Sequence, residues 1–334
     1  MAASDSSPPV PRLPLGDANL YLHPQTLARL GSLELRAKMI VEGVMSGAHR
    51  SPYKGYSVEF AQHRPYVAGD DIRHLDWKVF GRTDKLQLKQ YEQETNLDLV
   101  LLVDSSGSMR FGSRTFADAS GSARATAPDG RTNWSKYDHA TAVAAALSFI
   151  CLKQGDRVGV AAFAESVRAW LKPSSASGTW RQIVGLLSAS PIEAPTNLSH
   201  VIDQVVAKVR GRSLIAIISD FYEDAAAVRA ALSRARFRGH DLILVQVIDP
   251  AERDFDLGRA EGLIGLEGEP EMTIDARAIR PAYLEIFQAH QAAIAASARA
   301  FAVDHLVIDT HSWLGPPLSA FLAAREARLS RMKA

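Results

Sequence analysis

The chain has 334 residues, enough for two or three domains or for one α/β domain with a sizeable extra segment. Hydrophobic residues make up 47% and charged residues 22%, an ordinary globular balance that excludes a disordered, collagenous or fibrous chain. With 38 Lys and Arg against 37 Asp and Glu, no net field draws in nucleic acid or an anionic membrane, so any charged site is local.

The opening residues, MAASDSSPPVPRLPLGD, are rich in Ser and Pro and lack an apolar signal core, so residues 1–19 read as a disordered leader rather than an export signal. No run reaches the roughly 18 apolar residues that span a bilayer. The single cysteine, Cys151, excludes an intramolecular disulfide framework and a cysteine-rich zinc site. Together these features predict a cytoplasmic protein. Residues 20–96 precede the first clear strand. Within them the stretch from His63 to Asp98 holds six Lys or Arg and seven Asp or Glu among Tyr66, Trp77, Phe80 and Tyr91, which suggests an ordered N-terminal accessory segment.

From residue 97 to about 331, short apolar runs alternate with longer amphipathic stretches, the pattern of a parallel α/β sheet. Strands are predicted over 97–103, 157–164, 214–219, 242–248 and 303–308, with a short antiparallel one over 166–171. Helices are predicted over 136–154, 178–187, 198–209, 224–237, 281–301 and 316–331. The runs LVLLV, LIAIIS and LILVQVI suit central strands buried on both faces, so the expected fold is a doubly wound, mostly parallel sheet. Residues 111–134, rich in Ser, Ala, Gly and Thr, read as a mobile insertion, and residues 249–280 also stand outside the rhythm.

The most informative residues are Asp104, Ser106 and Ser108, in LLVDSSGSM directly after the first of these strands. In open α/β sheets ligands bind beyond the carboxyl ends of the strands, so this loop aims one carboxylate and two hydroxyls at the expected crevice. Thr196, in PTNLS before a helix, and Asp220, at the end of IISD, sit where they can add oxygen donors. Such a hard, carboxylate-poor set suits Mg2+, with Mn2+ or Ca2+ as alternatives. Ser, Thr and Asp also cap helices and form turns, and each of these residues has that reading too.

The order of these five residues along the strands and helices resembles the von Willebrand factor A domain, whose metal-ion-dependent adhesion site uses the same set. Residues 49–109 resemble more specifically the bacterial domain-of-unknown-function family fifty-eight. The match rests on Glu59-Phe60, Arg64-x-Tyr66 and Gly69-Asp70-Asp71-x-Arg73-x-x-Asp76-Trp77. The resemblance implies a non-catalytic protein-binding module, an adaptor or assembly factor working with a MoxR-type AAA+ ATPase. It further implies that Asp104 and Asp220 hold the metal partly through water, that Ser106, Ser108 and Thr196 coordinate through hydroxyls, and that one metal position awaits a partner's carboxylate.

Arg64, Asp70, Asp71, Arg73, Asp76 and Trp77 are candidate partner-binding residues: Arg73, Asp76 and Trp77 form either a partner surface or a salt-bridged aromatic cluster anchoring the accessory segment, Gly69-Asp70-Asp71 either a turn or an acidic metal loop, and Arg64 with Lys78 either a phosphate site or a neutralised charge network. His63 and His74 lack the companions that zinc needs. The competing class is a Mg2+-dependent hydrolase or phosphatase that attacks through Asp104. Such an enzyme needs an acid/base two residues later, where this chain has Ser106. No phosphate loop, dinucleotide fingerprint, H-E-x-x-H or G-x-S-x-G occurs.

Overall fold

The computed structural model describes residues 33–47, 60–67, 75–91, 98–115, 132–209, 211–256, 262–273 and 275–333. The leader at 1–19, the motif residues Asp70, Asp71 and Arg73, and most of the insertion, 116–131, lie outside them. The chain forms two compact units, one of residues 51–97 and one of residues 1–50 with 98–334.

Helix α1 (Leu33–Gly47) falls in the range that the sequence grouped with the accessory segment, but it belongs to the larger unit. The reason is its apolar face: Leu33, Ala37, Ile40 and Val41 recur at helical spacing and are buried in the same cluster as Tyr137 and Ala144. The smaller unit pairs β1 (Phe60–Pro65) antiparallel with β2 (Gln87–Tyr91), setting Arg64 opposite Leu88, and carries helix α2 (Trp77–Thr83) between them. Asp76 caps that helix: its Oδ1 accepts from the backbone N–H of Lys78 at 2.9 Å and of Val79 at 3.2 Å.

Trp77 does not anchor a buried cluster. It is 63% exposed and meets Phe80 edge to face, with ring centroids 6.2 Å apart. A buried tryptophan truncated to alanine would cost about 3–5 kcal/mol. At this exposed position Trp77→Ala is expected to change unfolding free energy by less than about 1 kcal/mol, and a denaturant titration checks it.

In the larger unit β3 (Asp98–Asp104) runs down the middle of the sheet. The ribbon β4 (Arg114–Thr115) and β5 (Asn133–Trp134) closes the base of the insertion, followed by α3 (Lys136–Lys153), β6 (Val158–Phe163) and β7 (Val167–Ser174). Next come α4 (Thr179–Leu187), α5 (Leu198–Lys208), β8 (Ser213–Ser219), α6 (Ala225–Phe237) and β9 (Asp241–Ile248). A short helix α7 (Pro250–Asp254) and a hairpin of β10 (Gly262–Leu263) and β11 (Met272–Thr273) precede α8 (Ala276–Ala300), β12 (Asp304–Asp309) and α9 (Gly315–Lys333).

The six-stranded sheet has the order β12-β9-β8-β3-β6-β7, parallel except for the antiparallel β6–β7 pair. All seven residues of β3 are buried, because helices cover both faces. Leu99, Leu101 and Val103 join one cluster with residues such as Ile40, Ala144, Ile183 and Leu318, while Val100 and Leu102 join the other with Val201, Leu232 and Ile294. That two-sided burial is why the strand reads as a continuous apolar run.

Two elements differ from the sequence expectation. The edge strand β7 is longer, running through Pro173, which falls at an irregularity in the β6–β7 register, a place where a strand tolerates the missing N–H. Gly159 on β6 permits the pairing, since a Cβ there would lie 2.9 Å from the Leu171 carbonyl oxygen. Helix α8 starts at Ala276 rather than Pro281: Asp275 caps it, accepting from the N–H of Arg277 at 3.0 Å, and Pro281 lies inside the helix, in a largely exposed stretch. Cys151 packs half-buried against the core, and burial pushes its thiol up to about 12.

Candidate functional site

From β3 the chain passes through α3 to β6 on one side, then returns past α4 and α5 to β8 on the other. The strand order therefore reverses at β3, and its carboxyl end is where an open α/β sheet forms its crevice. Asp104 ends β3, and Asp220 follows the last residue of β8. The loop holding Thr196 is tied to the Asp104–Ser108 turn by two backbone bonds, Gly107 N–H to Ala194 O at 3.0 Å and Ile192 N–H to Ser105 O at 2.9 Å.

Thr196 and Asp220 are not helix caps. Asn197 caps α5, accepting from the N–H of His200 at 2.9 Å, and Asp224 caps α6, accepting from that of Ala227 at 3.1 Å. Neither side chain is therefore spent on a helix N-terminus. The Thr196 hydroxyl donates to Asp104 Oδ2 at 3.1 Å, and so does the Ser219 hydroxyl, at 2.6 Å. The Ser106 N–H donates to Asp104 Oδ1 at 2.9 Å, and the Ser106 and Ser108 hydroxyls lie 3.2 Å apart. Four of the five predicted residues are therefore linked by direct hydrogen bonds in two pairs, Asp104 with Thr196 and Ser106 with Ser108, joined through the Ser106 backbone. Ser219 is a further member that the sequence reading omitted.

The fifth, Asp220, is 1% exposed and holds a partner that the sequence reading did not supply. The fully buried ammonium of Lys136, the first residue of α3, donates to Asp220 Oδ2 and to Glu252 Oε1, each at 2.7 Å. It also stands 4.5 Å from the centre of the Tyr222 ring, whose hydroxyl donates to Glu252 Oε2 at 3.2 Å. Burial alone would lower the Lys136 pKa, but Asp220 and Glu252 outweigh it and hold it above the ordinary lysine value. Glu252 is pushed up to about 7, by burial first, against the attraction of Lys136. A lysine in the first turn of a helix opposes the macrodipole, and that is the sequence signal by which Lys136 could have been found.

The donor set fits a hard cation. Asp104 is fully buried, and burial followed by the charge of Asp220 pushes it up to about 7. A cation beside Asp104 would relieve that repulsion. Among the described residues no three His, Cys, Asp or Glu side chains gather to hold a metal by themselves, so a cation here would draw on hydroxyls and water, as Mg2+ does readily.

The loop joining β10 to β11 lies over this turn. A Cβ on Gly107 would fall 1.9 Å from the Leu266 carbonyl oxygen, and the Ser108 N–H donates to Glu267 Oε1 at 3.1 Å. A separate cluster joins Ser113, Asp249 and His311, the residue types of a hydrolase triad. Here, however, Asp249 accepts the Ser113 hydroxyl at 2.5 Å as well as bonds from the Ser113 N–H, the Thr310 hydroxyl and the Ala251 N–H. His311 Nε2 is 3.0 Å from the same hydroxyl. With its hydroxyl donating to Asp249, Ser113 fastens the base of the insertion to the end of β9 rather than serving as an activated nucleophile.

Among the described residues no helix is long and apolar enough to cross a membrane. Two curated relatives, the uncharacterized protein Mb1516 of Mycobacterium bovis and the uncharacterized protein Rv1480 of Mycobacterium tuberculosis, are each 28% identical over 312 residues, covering 90% of both chains. Among solved structures, BatB from Bacteroides thetaiotaomicron matches 68% of this chain and 98% of its own at a TM-score of 0.40 and 15% identity. An aerotolerance-related membrane protein from Bacteroides fragilis matches 69% and 97% at a TM-score of 0.40 and 17% identity. The family model described as "Protein of unknown function DUF58" matches residues 62–293, well over half the chain, and the chain belongs to that family.

Proposed function

We propose that this protein is a non-catalytic, metal-dependent protein-binding module of the von Willebrand factor A type. In this reading it is a cytoplasmic adaptor or assembly factor that works with a MoxR-type AAA+ ATPase. The observation that carries the reading is the gathering of Asp104, Ser106, Ser108 and Thr196 at the carboxyl end of the central strand, with Asp220 at the end of its neighbour. Asp104 would hold the cation partly through water, with Ser106, Ser108 and Thr196 as hydroxyl donors. Asp220, with Oδ2 on Lys136 and Oδ1 accepting from the Tyr222 N–H at 3.3 Å, would act through its charge. Bound Mg2+ would supply a Lewis-acidic position for a carboxylate of the partner. The surroundings of Asp104 favour a ligand over a nucleophile: both oxygens accept hydrogen bonds and a serine occupies the place of an acid/base.

Asp104→Ala is expected to abolish Mg2+ binding in a calorimetric titration while leaving the far-ultraviolet circular dichroism unchanged. Unchanged affinity would sink the metal assignment. The partner is tested by affinity capture from native extract with wild type and Asp104→Ala, each in Mg2+ and in EDTA. Retention of the AAA+ ATPase only by wild type in Mg2+ is expected. Identical retention in all four samples would show that the metal loop is not the contact.

A further inference from the structure

The geometry points to Glu267 as a built-in ligand of the metal site, a carboxylate of this chain that occupies the position a partner's acidic side chain would take and must leave before the partner can bind. The inference rests on the metal-binding reading above and adds the regulation of that site.

Three observations converge on it. First, the Glu267 carboxylate is already at the site, half-buried, with Oε1 accepting from the N–H of Ser108, one of the hydroxyl donors. Second, the approach is too close for incidental contact. A Cβ on Gly107 would meet the Leu266 carbonyl oxygen at 1.9 Å and Glu267 Cγ at 2.9 Å, so the loop passes over the turn with no room for a side chain between them. Gly107 itself has φ −62 and ψ −42, open to any residue, so the glycine serves the close approach rather than the backbone conformation. Third, the hairpin is short, and although Leu263 and Leu266 are half-buried, other apolar side chains on it are exposed. Its ladder consists of two residue pairs, Gly262 with Thr273 and Leu263 with Met272. Ile264 is 75% exposed and Met272 54%, so these apolar side chains do not fasten it to the body. The Glu267 N–H is spent inside the loop, on Glu269 Oε2 at 2.9 Å.

An anionic group held there by a short hairpin competes at high effective concentration with any carboxylate arriving from solution. Weak or isolated acids are rejected. A partner that presents an acidic residue together with further contacts wins, and it wins by exchanging one carboxylate for another with no change of charge at the cation. On this reading the partner's anchoring group is Asp or Glu.

The test uses Mn2+ as the probe, with affinity and water-proton relaxation measured on the full chain. Wild type is expected to bind Mn2+ with low relaxation enhancement, because Glu267 fills a position that water would take. Glu267→Gln is expected to bind at least about tenfold more weakly and to show higher enhancement per bound ion. Gly107→Ala, which alters no ligand atom and drives the hairpin off by collision, is expected to raise the enhancement in the same way. Wild-type enhancement in either variant overturns the inference. Asp104→Ala separates the two levels. If it abolishes Mn2+ binding while Glu267→Gln changes nothing, the metal site stands and the built-in ligand is wrong. If wild type binds no Mn2+, or Asp104→Ala binds it as wild type does, the metal reading and this inference are overturned together.

Discussion

Lys136→Met is expected to destabilise the larger unit by about 3–5 kcal/mol, because it removes the ammonium that donates to both Asp220 and Glu252 and leaves their carboxylates without that partner, while roughly keeping the volume of the side chain. Lys136 is fully buried, and its ammonium lies 2.7 Å from Asp220 and from Glu252. Without it those groups must either stay ionised beside each other or take up protons. Adding Asp220→Asn and Glu252→Gln to the lysine variant removes both charges and should recover most of the loss, which separates electrostatics from a packing defect. The loss should also shrink as pH falls below about 7, the value to which burial already pushes Glu252, since protonated carboxyls no longer need a counterion. Guanidinium titrations at two pH values check all of this. A Lys136→Met protein within about 0.5 kcal/mol of wild type would show that water reaches the pair.

The same lysine shows why the site was only partly legible in the sequence. Asp104, Ser106 and Ser108 stand in one short motif at the end of an apolar run, Thr196 just precedes a recognisable helix and Asp220 follows a recognisable strand, so topology alone brings them to one end of the sheet. Lys136 and Glu252 lie 116 residues apart, and neither belongs to a motif. Their pairing is decided by how the start of α3 meets the short helix α7 after β9. Ser219 was hidden by its place inside the LIAIIS run, where it reads as a strand residue, although its hydroxyl reaches Asp104 at 2.6 Å. Glu267 falls in a stretch without periodicity, and only tertiary contact brings it over Gly107.

The fold was legible to the degree that burial imposes periodicity. Central strands covered on both faces became continuous apolar runs, and their order along the chain implied a mostly parallel sheet. Where local chemistry admitted two readings, tertiary structure chose. Pro281 suits the first turn of a helix as well as an exposed interior position, and the capping of Ala276–Ala300 by Asp275 decided for the second. Helix Leu33–Gly47 carries an apolar stripe at 33, 37, 40 and 41, but the stripe does not say which surface it covers. Trp77 admitted two readings from its residue type, a partner surface or an anchoring cluster, and its ring, 63% exposed, does not serve as the anchor.

Acid sensitivity should trace in large part to one residue, His139. It is fully buried on α3, its Nδ1 accepts from Trp134 Nε1 at 3.1 Å, and its Nε2 has no hydrogen-bond partner among the described residues. Burial, reinforced by the positive charge of Arg114 and opposed by Asp249, lowers its pKa to about 3. The unfolded chain therefore takes up a proton near pH 6.5 that the folded chain refuses until about pH 3. The corresponding stability is complete above about pH 6.5 and is lost progressively as pH falls toward 3, at about 1.4 kcal/mol per pH unit. Between pH 7 and pH 4 this amounts to roughly 3 kcal/mol. His139→Gln keeps an acceptor for the Trp134 indole and does not titrate, so its unfolding free energy should fall less than that of wild type over this interval by that amount. Parallel pH profiles for the two proteins would mean that the folded imidazole is protonated as readily as the unfolded one, and that the strand and helix ends around it open to water well before the fold is lost.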